Sequence, residues 1–556
     1  MTSRALLVRL LPFLKWPRPT AASLRRDAWA GLSVGLVLIP QAIAYATLAG
    51  MPPQTGLYAA LLPALIGILW GSSALLAVGP VALTSLLSFG ALSSLAASGS
   101  DTWVALAIWL AIYSGIFQLL LGAFRLGRIA NLVSQPVMAG FINAAAIIII
   151  LSQIPALLGT SDLLFRQAPL SQMTWPTIFG GVALLLLFGF KRFLPRAPGI
   201  LLVSVIGIAA SIAFDYAGHG GAVIGAIPSG LPSLLLPPSI PLASHQELWP
   251  AALVLALISF TEAMSSCRML ARKTKARWDE NQELIGQGLA KITSGFSGAF
   301  PVSGSISRSA LNLYAGAGSA WANLFAALCV LFSLLFLTDY LFHLPRSVVA
   351  AMIIVPVIGL IDVAAIRRVF AVSRVDGGIA VATFAVTLFS MPRLHWGVFA
   401  GVGLTMAVYL YRLTEPRVIE VSLHPDGTLR DRNRFGLPAL APDLLAVRLD
   451  AALNFLTAAA LERFINEQCR TRPEVRRVLI CSSAINGIDA SGIDMLESLR
   501  TSLQGAGIEL YFSGIKKQVW DVMEGAGMIT VLQRDRLFAT DRQAILSLAS
   551  SKPPAE

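Results

Sequence analysis

The sequence predicts an all-α polytopic membrane domain followed by a small α/β domain, and three observations predict it. Of the 556 residues, 56% are apolar and 13% are charged, about half the charged share of a soluble domain. The mean hydropathy is +0.71. The charge is unevenly spread: residues 1–414 hold long apolar runs, while 415–556 read like an ordinary soluble domain. The division expected is a cytoplasmic N-terminal segment at 1–26, a transmembrane domain at 27–414 and a cytoplasmic domain at 415–556.

A bilayer-crossing helix needs about 20 mostly apolar residues. In chain order the candidate spans are 28–48, 54–71, 80–97, 102–122, 129–157, 174–191, 198–215, 249–270, 282–296, 306–316, 319–338, 346–363, 376–391 and 394–413. The shorter ones cannot cross alone as straight helices. Ahead of them, a basic stretch broken by Pro12, Pro17 and Pro19 lacks the apolar core and small-residue site of a cleavable signal. Its Leu6–Trp16 segment is expected to lie along the membrane surface.

Net charge is +12, which in a soluble protein would suggest nucleic acid as a partner. Here the cations fall in short loops, and topology is the reading that fits. With the N-terminus inside, Arg125, Arg128, Lys191, Arg192 and Arg196 lie on the cytoplasmic side. So do Arg268, Arg272, Lys273, Lys275, Arg277, Arg367, Arg368 and Arg374, against only Arg166, Arg346 and Arg393 outside. That excess orients both termini to the cytoplasm of an inner (plasma) membrane. Nucleic acid is not an expected partner; membrane lipid is. Cys267, Cys329, Cys469 and Cys481 form no Cys-x-x-Cys pair, so neither zinc nor a disulfide framework is expected. No metal or cofactor is implied. The sequence holds no Gly-x-x-x-x-Gly-Lys-Ser/Thr motif that would signal ATP as a direct energy source.

Two segments break the apolar pattern alike. Gly79-Pro80, within Ala77–Leu83, would start a helix inside the membrane, and Ala299–Ala310 is again interrupted by proline and glycine before a short span. Irregular backbone survives at that depth only where protein or water satisfies it. Matching interruptions in two halves point to an inverted repeat with a binding site between them. Simple kinks or loops are the alternative.

The second segment holds Arg308 among Ser303, Ser305, Ser307 and Ser309. An arginine near the bilayer centre costs about 2.5–3.5 kcal/mol on insertion scales, so it must face a cavity or a partner. Beside helix N-termini it would make a site for an anion; a salt bridge to Glu262 is the alternative, and both can hold. Glu262 stands in an apolar span. Burial and a neighbouring arginine act in opposite senses on a carboxylate's hold on a proton, so a group between them can load and release one. Ser266 lies one turn on. Lys291 is a third charge in a span, able to pair with Glu262 or Glu283 or to reach an interface. In the first span Gln41 and Tyr45 share one helical face.

Together, Pro40–Gly50, Gly56-Leu-Tyr58 with Pro63, Gly71–Ser73, Gly79–Ala82, Asn281–Gly288 and Phe300–Asn312 resemble the sulfate permease (SulP) family, in which plant and bacterial sulfate transporters, pendrin and prestin are placed. The likeness runs nearly end to end. It implies about fourteen segments in a 7+7 inverted repeat, with spans one to four and eight to eleven in a core subdomain and the rest in a gate subdomain. It further implies that Gln41, Tyr45, Val81, Ala82, Ser305, Ser307 and Arg308 surround a small inorganic or organic anion. Glu262 and Ser266 would then hold the coupling proton, or sodium. Ala74 stands where an arginine is often found, and Lys291 where a neutral residue is expected.

The tail resembles a STAS domain. Leu444–Leu449, Val478–Cys481 and Ile508–Phe512 read as strands, and Ala458–Cys469, residues 491–505 and Lys516–Gly525 as helices, an α/β alternation. Ser491 matches the phospho-acceptor position of soluble relatives; alternatively Asp489 and Ser491 only cap a helix. The expectation is therefore not an enzyme but a secondary anion transporter: proton-coupled sulfate uptake by an elevator-like homodimer, with a cytoplasmic partner for the tail. Bicarbonate or a C4-dicarboxylate on the same machine, or a transport-inactive membrane-anchored sensor, are the alternatives.

Overall fold

The structure, a computed structural model, describes residues 11–16, 18–128, 133–160, 170–194 and 197–550. Residues 6–10 of the expected surface segment, with Arg166 and Arg196, lie outside them. The chain divides within its last long apolar helix into two compact units, Met1–Thr405 and Met406–Glu556.

The first unit is helical. Its main helices are α1 (Ala21–Leu48), α2 (Pro53–Trp70), α3 (Ala82–Leu92), α4 (Asp101–Ala123), α5 (Gln135–Leu158), α6 (Leu170–Phe193) and α7 (Gly199–Ala213), then α8 (Leu242–Thr274), α9 (Glu280–Phe296), α10 (Ile306–Tyr314), α11 (Trp321–Phe336), α12 (Arg346–Ile358), α13 (Arg374–Phe389) and α14 (His395–Thr414). Eight stretches of the described residues are long and apolar enough to cross a membrane. Two strands, β1 (Ala77–Gly79) and β2 (Ser303–Ser305), precede α3 and α10. At 11 and 9 residues, these two helices are about 16 and 14 Å long, roughly half a bilayer core of about 30 Å.

Several expectations shift. The third span is the half-helix α3 rather than 80–97, and the eighth lengthens to Leu242–Thr274. The span expected at 346–363 ends at Ile358, and a separate helix, Val363–Val372, carries Arg367 and Arg368. Residues 12–15 form a 3-10 turn. Phe13 meets Trp70, and Trp16 meets Trp321 edge-on, so this turn packs on helix ends.

The helices sort into two packed groups. One joins α1–α4 with α8–α11; the other joins α5–α7 with α12 and α13. Small residues permit the contacts, as expected where lipid tails offer no hydrophobic contrast. A Cβ on Gly31 would lie 2.2 Å from the Ala322 carbonyl oxygen, and one on Gly56 would lie 2.0 Å from that of Ala42. Gly115 and Gly288 face each other across α4 and α9, a Cβ on either falling 2.7 Å from the other's carbonyl.

The second unit is a six-stranded sheet in the order β4-β3-β5-β6-β7-β8, with β3 Val418–Leu423, β4 Leu429–Asp431, β5 Leu444–Leu449, β6 Arg477–Cys481, β7 Glu509–Ser513 and β8 Leu537–Phe538. The four strands β5 to β8 run parallel. Helices α15 (Ala458–Thr471), α16 (Ala490–Gly505) and α17 (Lys517–Gly525) cover one face through Leu461, Leu499 and Val519. The other face packs Val421, Ala446 and Leu479 on Ala544 and Leu548 of the helix Asp541–Ser550.

Two substitutions test this packing. Gly56→Leu is expected to cost about 3 kcal/mol, read as a lower melting temperature of the detergent-purified protein. In the second unit, Arg477 donates to both carboxylate oxygens of Asp443 at 2.8 Å and holds that carboxyl below its ordinary range. A depressed folded-state pKa contributes stability above the unfolded value of about 3.9, lost as pH falls through the folded value. Asp443→Asn should therefore destabilise this unit by about 1–2 kcal/mol at neutral pH, with the difference from wild type vanishing in strong acid.

Candidate functional site

A half-helix that begins inside a membrane leaves the chain before it with unpaired backbone groups. Here the two lead-in segments satisfy each other: β1 and β2 pair antiparallel, with Val78 opposite Gly304. A Cβ on Gly304 would sit 2.9 Å from the Leu76 side chain and 3.0 Å from Ala263 on α8, so only glycine lets β2 lie there. Because the pairing is antiparallel, α3 and α10 leave its opposite ends, and Arg308 in the first turn of α10 reaches back to Pro80 ahead of α3.

The two N-termini differ. Ser305 caps α10, its hydroxyl accepting from the Arg308 amide at 3.3 Å. Val81 begins α3 with no side-chain cap; Thr84 and Ser85 both turn their hydroxyls to its carbonyl, at 3.2 and 2.9 Å. The first N–H groups of an α-helix have no intrahelical partner, and α3 has no side-chain cap for its own.

Arg308 is only 2% exposed. Its Nη1 donates to the Pro80 carbonyl at 2.9 Å, while Nε and Nη2 are buried without a hydrogen-bond partner. No hydrogen bond joins it to Glu262, whose Oε2 is likewise buried and unpartnered. The salt bridge offered as the alternative is thus not made, although Glu262, Arg308 and Tyr45 stand within electrostatic reach of one another. Gln41 is buried with Oε1 unpartnered. Around Gly79, whose φ is +156°, a Cβ would come within 3.2 Å of Arg308 Nη2.

The other expected residues are placed as follows. Tyr45, Val81 and Ala82 are buried. Ser307 is exposed and its hydroxyl lies 3.3 Å from that of Ser305. The buried Ser266 donates to the backbone carbonyl of Glu262 at 3.2 Å, so its hydroxyl serves the helix and not the carboxylate. In the second unit Asp489 caps α16, accepting from Gly492 N at 2.9 Å and also from Phe455 N at 3.3 Å. Ser491 does not cap; it stands exposed in the first turn.

Sequence reasoning missed the groups that hold β1 in place. Asn323 Nδ2 donates to the carbonyls of Ala74 and Leu76, both at 3.1 Å, and its Oδ1 accepts from Asn312 at 2.9 Å. Ser309 accepts from Ala77 N at 2.9 Å. Glu283 accepts from the amides of Ser72 and Ser73 at 2.8 and 2.9 Å. The signal was present as polar residues inside apolar spans. Lys291 pairs with neither expected glutamate: its Nζ donates to Gln118 Oε1 at 2.8 Å and Ser259 Oγ at 2.6 Å.

Two cavities gather the helix ends. One, of about 1130 Å³, is lined by Trp16, Ser72, Arg125, Arg277, Trp278 and Gln282. The other, of about 530 Å³, is lined by Leu48, Met51, Phe89, Ser98, Gln153 and Arg346. Helix α2 runs from the second to the first, so they mark opposite ends, and the strand pair lies between.

The sulfate permease family profile matches residues 24–383, and the STAS domain profile residues 440–544. The chain is 31% identical to a probable sulfate transporter of Mycobacterium tuberculosis, covering 93% of this chain and 94% of the relative. It is 29% identical to the chloroplastic sulfate transporter 4.1 of Arabidopsis thaliana, covering 96% and 82%. Among solved structures, the murine anion transporter SLC26A9 in an inward-facing state shares the fold with a TM-score of 0.89 at 21% identity, over 99% of this chain and 95% of that one. The transmembrane domain of the cyanobacterial bicarbonate transporter BicA matches with a TM-score of 0.59 at 22% identity, over 69% and 99%.

Asn323→Leu removes two donors to the chain before β1 and leaves those carbonyls buried. The expected cost is about 2–4 kcal/mol, measured as a fall in melting temperature, with the spectroscopic helix content kept.

Proposed function

The chain belongs to the sulfate permease family and transports anions, and from that premise we propose that it takes up sulfate together with protons by an elevator-like alternating-access movement. The observation that carries this reading is a buried guanidinium with two unpartnered nitrogens beside an uncapped helix N-terminus. Preorganised donors of this kind suit an oxyanion. Arg308 and the first amides of α3, at Val81 and Ala82, bind the anion. Gln41 and Tyr45 line it from α1, and Ser305 and Ser307 border it from α10. Glu262 is the proton site, and Ser266 holds its helical turn. The group α1–α4 with α8–α11 carries the anion past the other group, which supports a homodimer.

The cation-rich cavity end is the cytoplasmic one of an inner (plasma) membrane, and both termini belong to that side by the loop-charge asymmetry. Ser491, exposed beside the Asp489 cap, is the position where phosphorylation or a cytoplasmic partner of the second unit acts.

Voltage sets the need for coupling. Each charge moved through 100 mV is worth about 2.3 kcal/mol, so a dianion entering a negative interior costs about 4.6 kcal/mol. One proton halves this, and a second removes it. In proteoliposomes, an inward proton gradient should accelerate wild-type sulfate uptake at least about tenfold. Glu262→Gln should abolish the acceleration, and Arg308→Ala should abolish saturable uptake. Uptake indifferent to the gradient in both wild type and Glu262→Gln would refute proton coupling. If bicarbonate or a C4-dicarboxylate outcompetes labelled sulfate, the cargo is reassigned and the site is retained.

A further inference from the structure

We propose that Lys291 is a second fixed cation of the anion site and sets its preference for divalent over monovalent anions, an inference that rests on the anion-transport reading above.

Lys291 is fully buried on α9. Both of its hydrogen-bond partners are neutral: Gln118 Oε1 at 2.8 Å and Ser259 Oγ at 2.6 Å. Each acts as an acceptor. The Ser259 hydroxyl spends its own proton on the Leu255 carbonyl at 2.6 Å. The Gln118 amide nitrogen turns to the Ala256 carbonyl at 2.7 Å and to Ser259 Oγ at 3.1 Å. No proton is aimed at Nζ, so the lone pair of a neutral amine would find no donor, whereas an ammonium, which only donates, fits. The cluster is a cradle for a cation built from oxygen dipoles.

The cradle is also tied to the site. Ser259 stands three residues before Glu262 on α8, and its carbonyl accepts from the Ser303 hydroxyl of β2 at 2.9 Å. One side chain therefore separates the Lys291 ammonium from the strand that leads into Arg308. Glu262 is the acidic group within its electrostatic reach.

The charges then sum in a telling way. Arg308 and Lys291 contribute two positive charges and Glu262 one negative, a net of +1 when its carboxylate is ionised. A proton on Glu262 raises the sum to +2, which a dianion cancels. A monoanion leaves one charge uncompensated in a low-dielectric interior, where net charge is expensive. With Arg308 alone, the protonated site would balance a monoanion instead. Lys291 is thus the residue that makes a neutral proton-loaded carrier require a dianion.

The test reconstitutes the full-length protein and measures initial uptake of labelled sulfate and of labelled nitrate under one potassium-clamped voltage and one pH. The variants are Lys291→Met, which removes the charge at similar volume, and Gln118→Glu, which keeps the lysine and neutralises it in place. Size-exclusion profiles and melting temperatures report folding. Coulomb attraction scales with ligand charge, so losing one cation costs a dianion twice what it costs a monoanion. The sulfate-to-nitrate ratio should fall about tenfold in either folded variant. An unchanged ratio, or equal loss of both fluxes, in either folded variant would overturn the proposal and leave Lys291 a packing residue. Wild-type vesicles that admit neither anion would instead overturn the transport reading itself.

Discussion

A guanidinium held by one carbonyl, at the crossing of two broken segments, constrains the rest of the membrane unit. The Arg308 guanidinium donates to Pro80 and to nothing else in hydrogen-bond range. Removing a charge from water without a counter-ion costs several kcal/mol, so the fold must impose this arrangement against its local cost. It does so through backbone. The β1–β2 pairing fixes the register of the two lead-in segments, and the hydrogen bonds of Asn323, Asn312 and Ser309 leave the chain around Ala74–Ala77 little freedom to relax. A charge that could swing toward lipid headgroups is thereby kept at the centre.

Rigid placement of that kind needs rigid surroundings, and here glycine supplies them. Where α1 meets α2 and α11, and where α4 meets α9, backbone approaches backbone too closely for any side chain. Dispersion at such seams is dense, and it joins the helices bearing Gln41, Lys291 and β1 into one body. The second group of helices has its own seam, Gly140 lying against the Ala380 carbonyl. Two internally tight groups are what a rigid-body movement requires, since interfaces rather than cores then absorb the change.

Much of this was legible in the sequence, for definable reasons. Long apolar runs located most helices, and Gly79-Pro80 and Pro301–Ser309 disclosed the broken segments because a proline at membrane depth has few other uses. The half-length of α3 was not legible: Leu92 to Ala97 is as apolar as the helix itself, and hydropathy does not register where a helix stops. Strand β3 was missed although Ile419 and Val421 alternate in sequence with Glu420 and Ser422, because a six-residue pattern directly after the last apolar helix is too short to stand apart from it. At the site, charge in an apolar span identified Arg308 and Glu262. Their failure to form a hydrogen-bonded pair was beyond sequence, as was the turn of Ser266 toward its own helix. Lys291 stood out by the same rule, but its neutral partners, Gln118 and Ser259, are ordinary span residues whose role appears only once α4, α8 and α9 are packed together.

The distribution of unsatisfied groups separates what is structural from what is available. Native interiors leave few polar atoms without partners, and each one requires a reason. Among the described residues, eight buried side-chain atoms are without a hydrogen bond, and four of them belong to Gln41, Glu262 and Arg308. By contrast Glu283, also buried and also charged, accepts from two backbone amides, and Lys291 has two acceptors. The fold therefore satisfies its buried charges where they brace the chain and withholds partners where three residues approach the strand pair. Nothing in apolar packing would leave a donor-rich guanidinium and an uncapped helix start side by side. On the function proposed above, an oxyanion completes them, and its departure restores a cost that the glycine-seamed helices are stiff enough to hold.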